Sequence, residues 1–370
     1  MVTHAHWRQF DYLLLITVTL LIILGVVMIR SATLGVESLA DRVSRQVIYG
    51  LAGFVAVFVL AALDYHLLAS TYLWIYGLIL LLLFSVGIVG QIGGGAQSWL
   101  NLGVIPVQPS ELAKVLLILV LAQQLSVNYE KIGNLRTILS SLLFWLIPTF
   151  LVFIQPDLGI AVLMIIVWFA MVWAAGLRWQ HLTMFIVVGL VMLPFVWSQM
   201  LDYQRARITT FLDPGANRDL SYTIDQALIS IGSGGLLGKG YAQGTQSQLR
   251  FLRVRHTDFI FSVIAEELGF VGAVLVLVLL LIVVLRILRA AQLASDPLGS
   301  LICYGMATII FVQTVVSVGM NLSLLPVTGL TLPFVSSGGS SLVTLLMGIG
   351  LVESVLLRHP HSHFRVPGRL

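Results

Sequence analysis

Charge is what this sequence has least of. Its 370 residues include 20 Lys or Arg and 16 Asp or Glu, against 58% hydrophobic residues and a mean hydropathy of +1.00. A soluble core cannot hide that much apolar surface, so the chain belongs in a membrane. Cysteine is almost absent too: Cys303 stands alone inside an apolar run, which excludes an intramolecular disulfide framework and a cysteine metal cluster. The net charge of +4 is scattered over connecting segments, with no basic patch interleaved with aromatics, so membrane lipids are expected partners and nucleic acid is not. No linker, low-complexity run or 20–50-residue repeat divides the chain, and 1–370 reads as a single transmembrane domain.

Long uncharged runs are what the sequence has instead. They hold 18 residues between Asp11 and Arg30, 18 between Arg45 and Asp64, and 20 on either side of Asp157. Each is long enough to span a bilayer as one helix. From Pro297 to Val352 there are 56 uncharged residues with a small, polar middle, which reads as two spans and a non-helical join. The first run is too long for a signal-peptide core and is expected to stay as a span. The pattern predicts an all-α polytopic fold of about ten spans: 11–30, 46–63, 67–89, 110–127, 137–155, 157–177, 181–201, 258–286, 299–322 and 339–357. One large loop, 202–257, is left between the seventh and eighth. Ten spans put both termini on one side. Lys and Arg then divide nine to ten between the two sides, with Lys114 inside a span, so the positive-inside rule gives no orientation.

Three non-spanning segments carry information. The first, QIGGGAQSWLNLGVIPVQPSELAK, turns on glycines, runs extended from about Trp99 to Val107 and re-enters a helix at Ser110, read as its N-cap. Glu111 and Lys114 then share a helix face, as a local ion pair or as a phosphate-binding group at the membrane mouth. The second, 202–257, predicts a short amphipathic helix over Tyr222–Ile231, followed by glycine-rich backbone around Lys239 that can turn N–H groups toward an anion or serve as an ordinary surface loop. The third, TGLTLPFVSSGGSSL, contains Ser336, Gly338 and Gly339. It reads either as the lining of a watery cavity or as a tight turn between helices.

The stretch RHTDFIFSVIAEELG sets three carboxylates on one segment. Thr257 can cap the eighth span and leave Asp258 in its first turn, a position that favours a carboxylate whatever its function. Glu266 lies about 12 Å deeper and Glu267 nearly opposite Asp258, and capping explains neither. Both need basic or hydrogen-bonding partners across the bundle. A carboxylate at a membrane mouth beside basic groups suits sugar transfer from a lipid pyrophosphate, which needs a base for the attacking hydroxyl and positive charge for the leaving group. His256, next to Asp258, reads as a hydrogen-bonding neighbour.

Over nearly its whole length the chain resembles the SEDS family of peptidoglycan glycan polymerases. The matching stretches are SWLNLGVIPVQPSELAK, QPDLG, DYQRARI with FLDP, GSGGLLGKG, GTQSQL, HTDFIFSVIAEELGFVG and LPFVSSGGSS. GKGYAQGTQSQL favours the RodA branch, which serves cell elongation and shape, over the FtsW branch of division. The resemblance implies a bacterial cytoplasmic-membrane protein with cytoplasmic termini and an extracytoplasmic active face. It further implies lipid II as substrate, inverting transfer with release of undecaprenyl pyrophosphate, and a class B penicillin-binding protein and other elongation-complex proteins as partners. On the matching positions Asp258 is the catalytic residue. Lys114, Glu111, Arg45, Lys239, Trp99, Ser336, Gly338 and Gly339 are expected to bind substrate, with His256, Glu266, Glu267 and Asp157 in support. The resemblance assigns no definite cofactor and leaves a divalent cation, Mg2+ or Mn2+, open. Two stretches depart from the family pattern: Arg253 and Val254 replace a proline and an acid ahead of His256, and Ser337 replaces a tyrosine. The rival functions are a lipid II flippase, which the deep acids would suit, and a scaffold for the transpeptidase.

Overall fold

A computed structural model describes residues 9–359 except 94–95, 102–105 and 253, so Arg253 and both chain ends lie outside the described residues. Fourteen α-helices follow in order: α1 Tyr12–Thr33, α2 Asp41–Ala62, α3 Tyr65–Ser70, α4 Tyr72–Val89, α5 Pro109–Val127, α6 Leu135–Ile154, α7 Leu158–Ala174, α8 Trp179–Gln199, α9 Asp202–Leu212, α10 Arg218–Ser233, α11 Thr245–Gln248, α12 Ile260–Leu293, α13 Pro297–Asn321 and α14 Gly339–Leu357. Between α4 and α5 lie three short antiparallel strands, β1 Gln91–Gly93, β2 Ala96–Asn101 and β3 Pro106–Val107, in the order β1-β2-β3. Among the described residues, eight helices (α1, α2, α5, α6, α8, α12, α13 and α14) are long and apolar enough to cross a membrane, and α4 and α7 are shorter apolar helices where spans were expected.

The scarce acids sit largely where helices begin. Asp11, Asp64, Asp157 and Asp296 each accept a backbone N–H at the start of α1, α3, α7 and α13. These bonds satisfy donors that would otherwise be orphaned, and the carboxylate suits the positive end of the helix dipole. Helices α14 and α5 are mostly buried and form the centre, whereas α8 buries none of its described side chains. Being apolar all round, α8 is compatible with lipid on most of its surface.

Several predicted boundaries move for local reasons. The expected third span is broken at Thr71, where the Ser70 and Thr71 hydroxyls hydrogen-bond to the carbonyls of Leu67 and Leu68, leaving α3 separate from α4. Helix α5 starts at Pro109, with Gln108 at the cap position. Ser110 is therefore not the cap, and its buried hydroxyl has no hydrogen-bond partner. Proline is favoured in that first turn because the N–H it lacks would have had no helical acceptor. Helix α12 starts at Ile260 behind Phe259, so Thr257 does not cap it either; the Thr257 hydroxyl donates to the Val254 carbonyl at 3.3 Å. Asp258 consequently lies in the turn before the helix. The amphipathic helix expected over Tyr222–Ile231 is present and longer, as α10.

Helix α12 breaks at Gly269, whose φ of 68° and ψ of −166° are non-helical. The glycine-rich segment before α11 fills the break. Lys239 and Gly240 donate their N–H groups to the Glu266 and Glu267 carbonyls, and Phe270 and Val271 donate theirs to Gly235 and Leu236. This pairing brings two backbones together: a Cβ on Gly234 would collide with the Ala265 carbonyl oxygen, and one on Gly238 with that of Glu267. Gly234→Ala is expected to destabilise the protein by about 1–3 kcal/mol, the usual effect of forcing a methyl group into a filled space. A lowered thermal unfolding temperature in detergent checks this, and an unchanged one would show that the segment can swing away from α12.

Candidate functional site

A cavity of about 800 Å³ opens at the end of the bundle where α2, α5, α7, α12 and α14 begin. Asp258 lines it, and its position is fixed through the backbone. The Asn321 amide donates to the Asp258 carbonyl at 2.9 Å, while the Asn321 side-chain oxygen accepts from the Ser262 N–H and hydroxyl at 3.1 and 2.7 Å. The end of α13 is thus tied to the start of α12. From the other side, the Ser336 hydroxyl donates to the Thr257 carbonyl at 2.8 Å and the Ser337 N–H to the His256 carbonyl at 3.0 Å. Gln46, buried on α2, holds the same serine-glycine segment: its amide donates to the Ser336 carbonyl, and its oxygen accepts from the Gly338 N–H. Gly339 lies so close to Tyr49 that a Cβ would enter the ring.

Arg207 and Asp258 both approach Gly329, whose φ of +81° favours glycine. A Cβ built there would lie 3.8 Å from an Arg207 guanidinium nitrogen and 3.9 Å from the Asp258 Oδ2. Burial pushes the Asp258 carboxyl above its ordinary range, with Thr257 and the Arg207 charge acting the other way. Burial, reinforced by the charges of Arg42 and Arg255, lowers His256 to about 4. The imidazole at the cavity is therefore neutral near pH 7. Arg42 and Arg45 add positive charge from the start of α2, where Arg45 also makes an exposed 3.5 Å ion pair with Asp41. Glu111 lines the cavity with its Lys114 partner behind it, 2.5 Å away and 1% exposed. Asp157 caps α7 through Ile160 and accepts a 3.0 Å bond from the Gln108 amide, linking α7 to α5. The charged end passes into an apolar flank formed by Val162, Leu163 and Ile166 on α7 and Val312 and Val316 on α13.

The structure therefore brings together Asp258, Glu111, Asp157, Arg45, Trp99, His256, Gly338 and Gly339 around one space. It does not bring Lys114, Lys239, Ser336, Glu266 or Glu267 to the cavity wall. The Ser336 hydroxyl is taken up by Thr257 and the Leu332 N–H, and Ser337 lines the space in its stead. Lys239 binds Glu266 at 3.0 Å and Thr245 at 2.8 Å. Glu266 also accepts from the Gln246 and Ser247 N–H groups, and Glu267 from Ser31, Ala242, Ser247 and Gln248. Both deep acids thus have the partners that burial requires, and those partners hold the glycine-rich segment and α11 to α12.

Sequence reasoning missed Arg207, Arg42, Tyr203 and Gln108. The motif DYQRAR held part of the signal. Arginines two apart cannot share a helix face, and here Arg207 faces the cavity while Arg205 turns back to the Trp197 and Ser198 carbonyls. Among the described residues no group of three or more His, Cys, Asp or Glu side chains is placed to hold a metal ion. A resident metal held by three or more such side chains does not fit the described residues.

These helices define an all-α, multi-pass membrane protein. The chain belongs to the FtsW/RodA/SpoVE family, whose model, described as cell cycle protein, matches residues 11–360. It is 36% identical over 355 residues to peptidoglycan glycosyltransferase MrdB of Escherichia coli K12, covering 95% of this chain and 94% of that one. Among solved structures, it matches a chain from a peptidoglycan synthase complex that coordinates polymerization and crosslinking, with a TM-score of 0.80, 34% identity and coverage of 94% and 97% of the two chains. It also matches the rod shape determining protein RodA of Thermus thermophilus, with a TM-score of 0.71, 34% identity and coverage of 95% and 98%.

Proposed function

We propose that the chain is a peptidoglycan glycosyltransferase that works as one unit over 1–370 and polymerises lipid II at this cavity, on the outer face of the bacterial cytoplasmic membrane with both termini inside. The observation that carries the reading is the convergence of Asp258 and Arg207 beside Gly329, in a space with charged groups at one end and apolar walls along α7 and α13. Such a space suits a ligand with an anionic head and a hydrocarbon tail. A sugar hydroxyl of one lipid-linked disaccharide attacks the anomeric carbon of the growing chain from the face opposite the leaving group, giving inversion. The new C–O bond forms, the bond from the anomeric carbon to the phosphate oxygen breaks, and the hydroxyl proton passes to the Asp258 carboxylate. Undecaprenyl pyrophosphate leaves, its developing charge met by Arg207 with Arg42 and Arg45.

A class B penicillin-binding protein is the proposed partner, supported by the likeness to a chain of a synthase complex. A flippase finds less support. The deep acids that would suit transport, Glu266 and Glu267, are occupied by Lys239, by hydroxyls and by backbone N–H groups. The test is purified protein with labelled lipid II, with and without the transpeptidase, and the expected product is glycan polymer. Arg207→Ala should reduce its rate by about 10²–10³, the usual effect of removing one preorganised group that stabilises developing charge. Full activity in that variant would remove Arg207 from the site, and lipid II movement across liposomes without polymer would favour the flippase.

A further inference from the structure

A second pocket, of about 300 Å³, opens between α1 and α12 at the far end of the bundle from the large cavity. Arg286, which lines it, is 17 residues beyond the Gly269 break in α12, about 25 Å of helical rise. Arg289, one turn further, also lines it. The two arginines differ in how they are held. Asp11 accepts from both the Nε and an Nη of Arg286 at 2.7 Å, so that group is fixed and largely neutralised. Arg289 makes no hydrogen bond or ion pair among the described residues and stands exposed at the pocket. With Asp11 as the lining acid, these side chains leave one positive charge in excess.

The pocket's borders are hydrocarbon. Leu13 and Leu293 line it and are exposed, and Ile16 on α1 and Leu285 on α12 extend that exposed apolar surface along the two helices. A bare soluble anion would leave this surface uncovered, whereas a molecule with a phosphate beside acyl chains would satisfy both parts. Basic pockets between membrane helices recognise anionic lipid headgroups by this combination. We infer that the α1–α12 pocket binds the phosphate of an anionic phospholipid, with Arg289 as its free charge-assisted donor, Arg286 held beside it by Asp11, and the acyl chains lying along Leu13, Ile16 and Leu285. This inference does not depend on the reaction proposed for the large cavity.

Native mass spectrometry of the full-length protein, titrated in detergent with phosphatidylglycerol or phosphatidylcholine, tests it. Phosphatidylglycerol should bind more tightly than phosphatidylcholine. Arg289→Ala should weaken phosphatidylglycerol about tenfold, the effect of losing one hydrogen bond to a charged group, and leave phosphatidylcholine unchanged. Arg136→Ala, an exposed arginine outside the pocket, controls for net charge and should leave both unchanged. Arg289 has no protein partner among the described residues to lose, and unchanged thermal unfolding of its variant in lipid-free detergent checks the fold. Equal binding of the two lipids, or no loss in Arg289→Ala, would overturn the assignment. Displacement of phosphatidylglycerol by millimolar inorganic phosphate would also overturn it, by making the free anion the ligand.

Discussion

Asp258→Asn is expected to abolish lipid II polymerisation in a protein that still folds, inserts and docks the proposed transpeptidase partner. The fold should survive because Asp258 is held through its backbone: its carbonyl accepts from Asn321, and the helix that follows is capped at Phe259 without any side-chain bond. The capping role that the sequence offered as an alternative is thus removed. Asparagine matches aspartate in size but cannot take a proton from an attacking hydroxyl near neutral pH, so a loss of at least 10²–10⁴ in rate is expected. Asp258→Glu keeps the base and shifts it by one methylene, so partial activity should remain. The pH dependence follows with a definite sign. Burial raises the Asp258 carboxyl above its ordinary value of 3.8, the base works only when ionised, and activity should therefore fall as pH drops through that raised value.

Lys114→Ala should damage the protein through the local ion pair that the sequence offered beside phosphate binding. The lysine lies behind Glu111, away from the cavity, and the pair is 1% and 7% exposed. Removing the lysine leaves a buried carboxylate without its countercharge, expected to destabilise the fold by about 3–5 kcal/mol. Replacing both residues, as Glu111→Leu with Lys114→Met, takes the second charge away and should restore most of the stability. Activity should stay low, because Glu111 also forms part of the cavity wall. Thermal unfolding of the single and double variants, with lipid II polymerisation measured on each, separates the cases. A fully stable Lys114→Ala protein without activity would return the lysine to direct phosphate contact.

Much of the fold was legible because membrane spans are written in uncharged length. The ends of runs at Asp11, Asp64 and Asp157 marked helix starts, since a carboxylate that breaks an apolar run can also satisfy the N–H groups there. Helix caps were harder to read. Ser110 and Thr257 are good capping residue types, yet the helices begin at Pro109 and Ile260 because tertiary contacts set the path of the incoming chain. Asp258, Arg45 and Glu111, singled out by residue type and resemblance, line the same cavity. Arg207 was not singled out, because its closeness to Asp258 depends on the path of α9 and on the turn at Gly329. Lys239 pointed the other way: a lysine in glycine-rich backbone suggested an anion site, and its partner is the deep acid Glu266 on α12, about 9 Å of helical rise beyond the helix start at Ile260.

The most direct measurement is to find where the substrate lies. Lipid II carrying a photoreactive group in its first isoprenyl units, irradiated with the purified protein and mapped by peptide mass spectrometry, should label the apolar flank of the large cavity at Val162, Ile166, Val312 or Val316. Asp258→Asn should give the same labels while forming no polymer. Labels confined to other faces of the bundle, or near-normal polymer from a well-folded Asp258→Asn protein, would contradict polymerisation at this cavity.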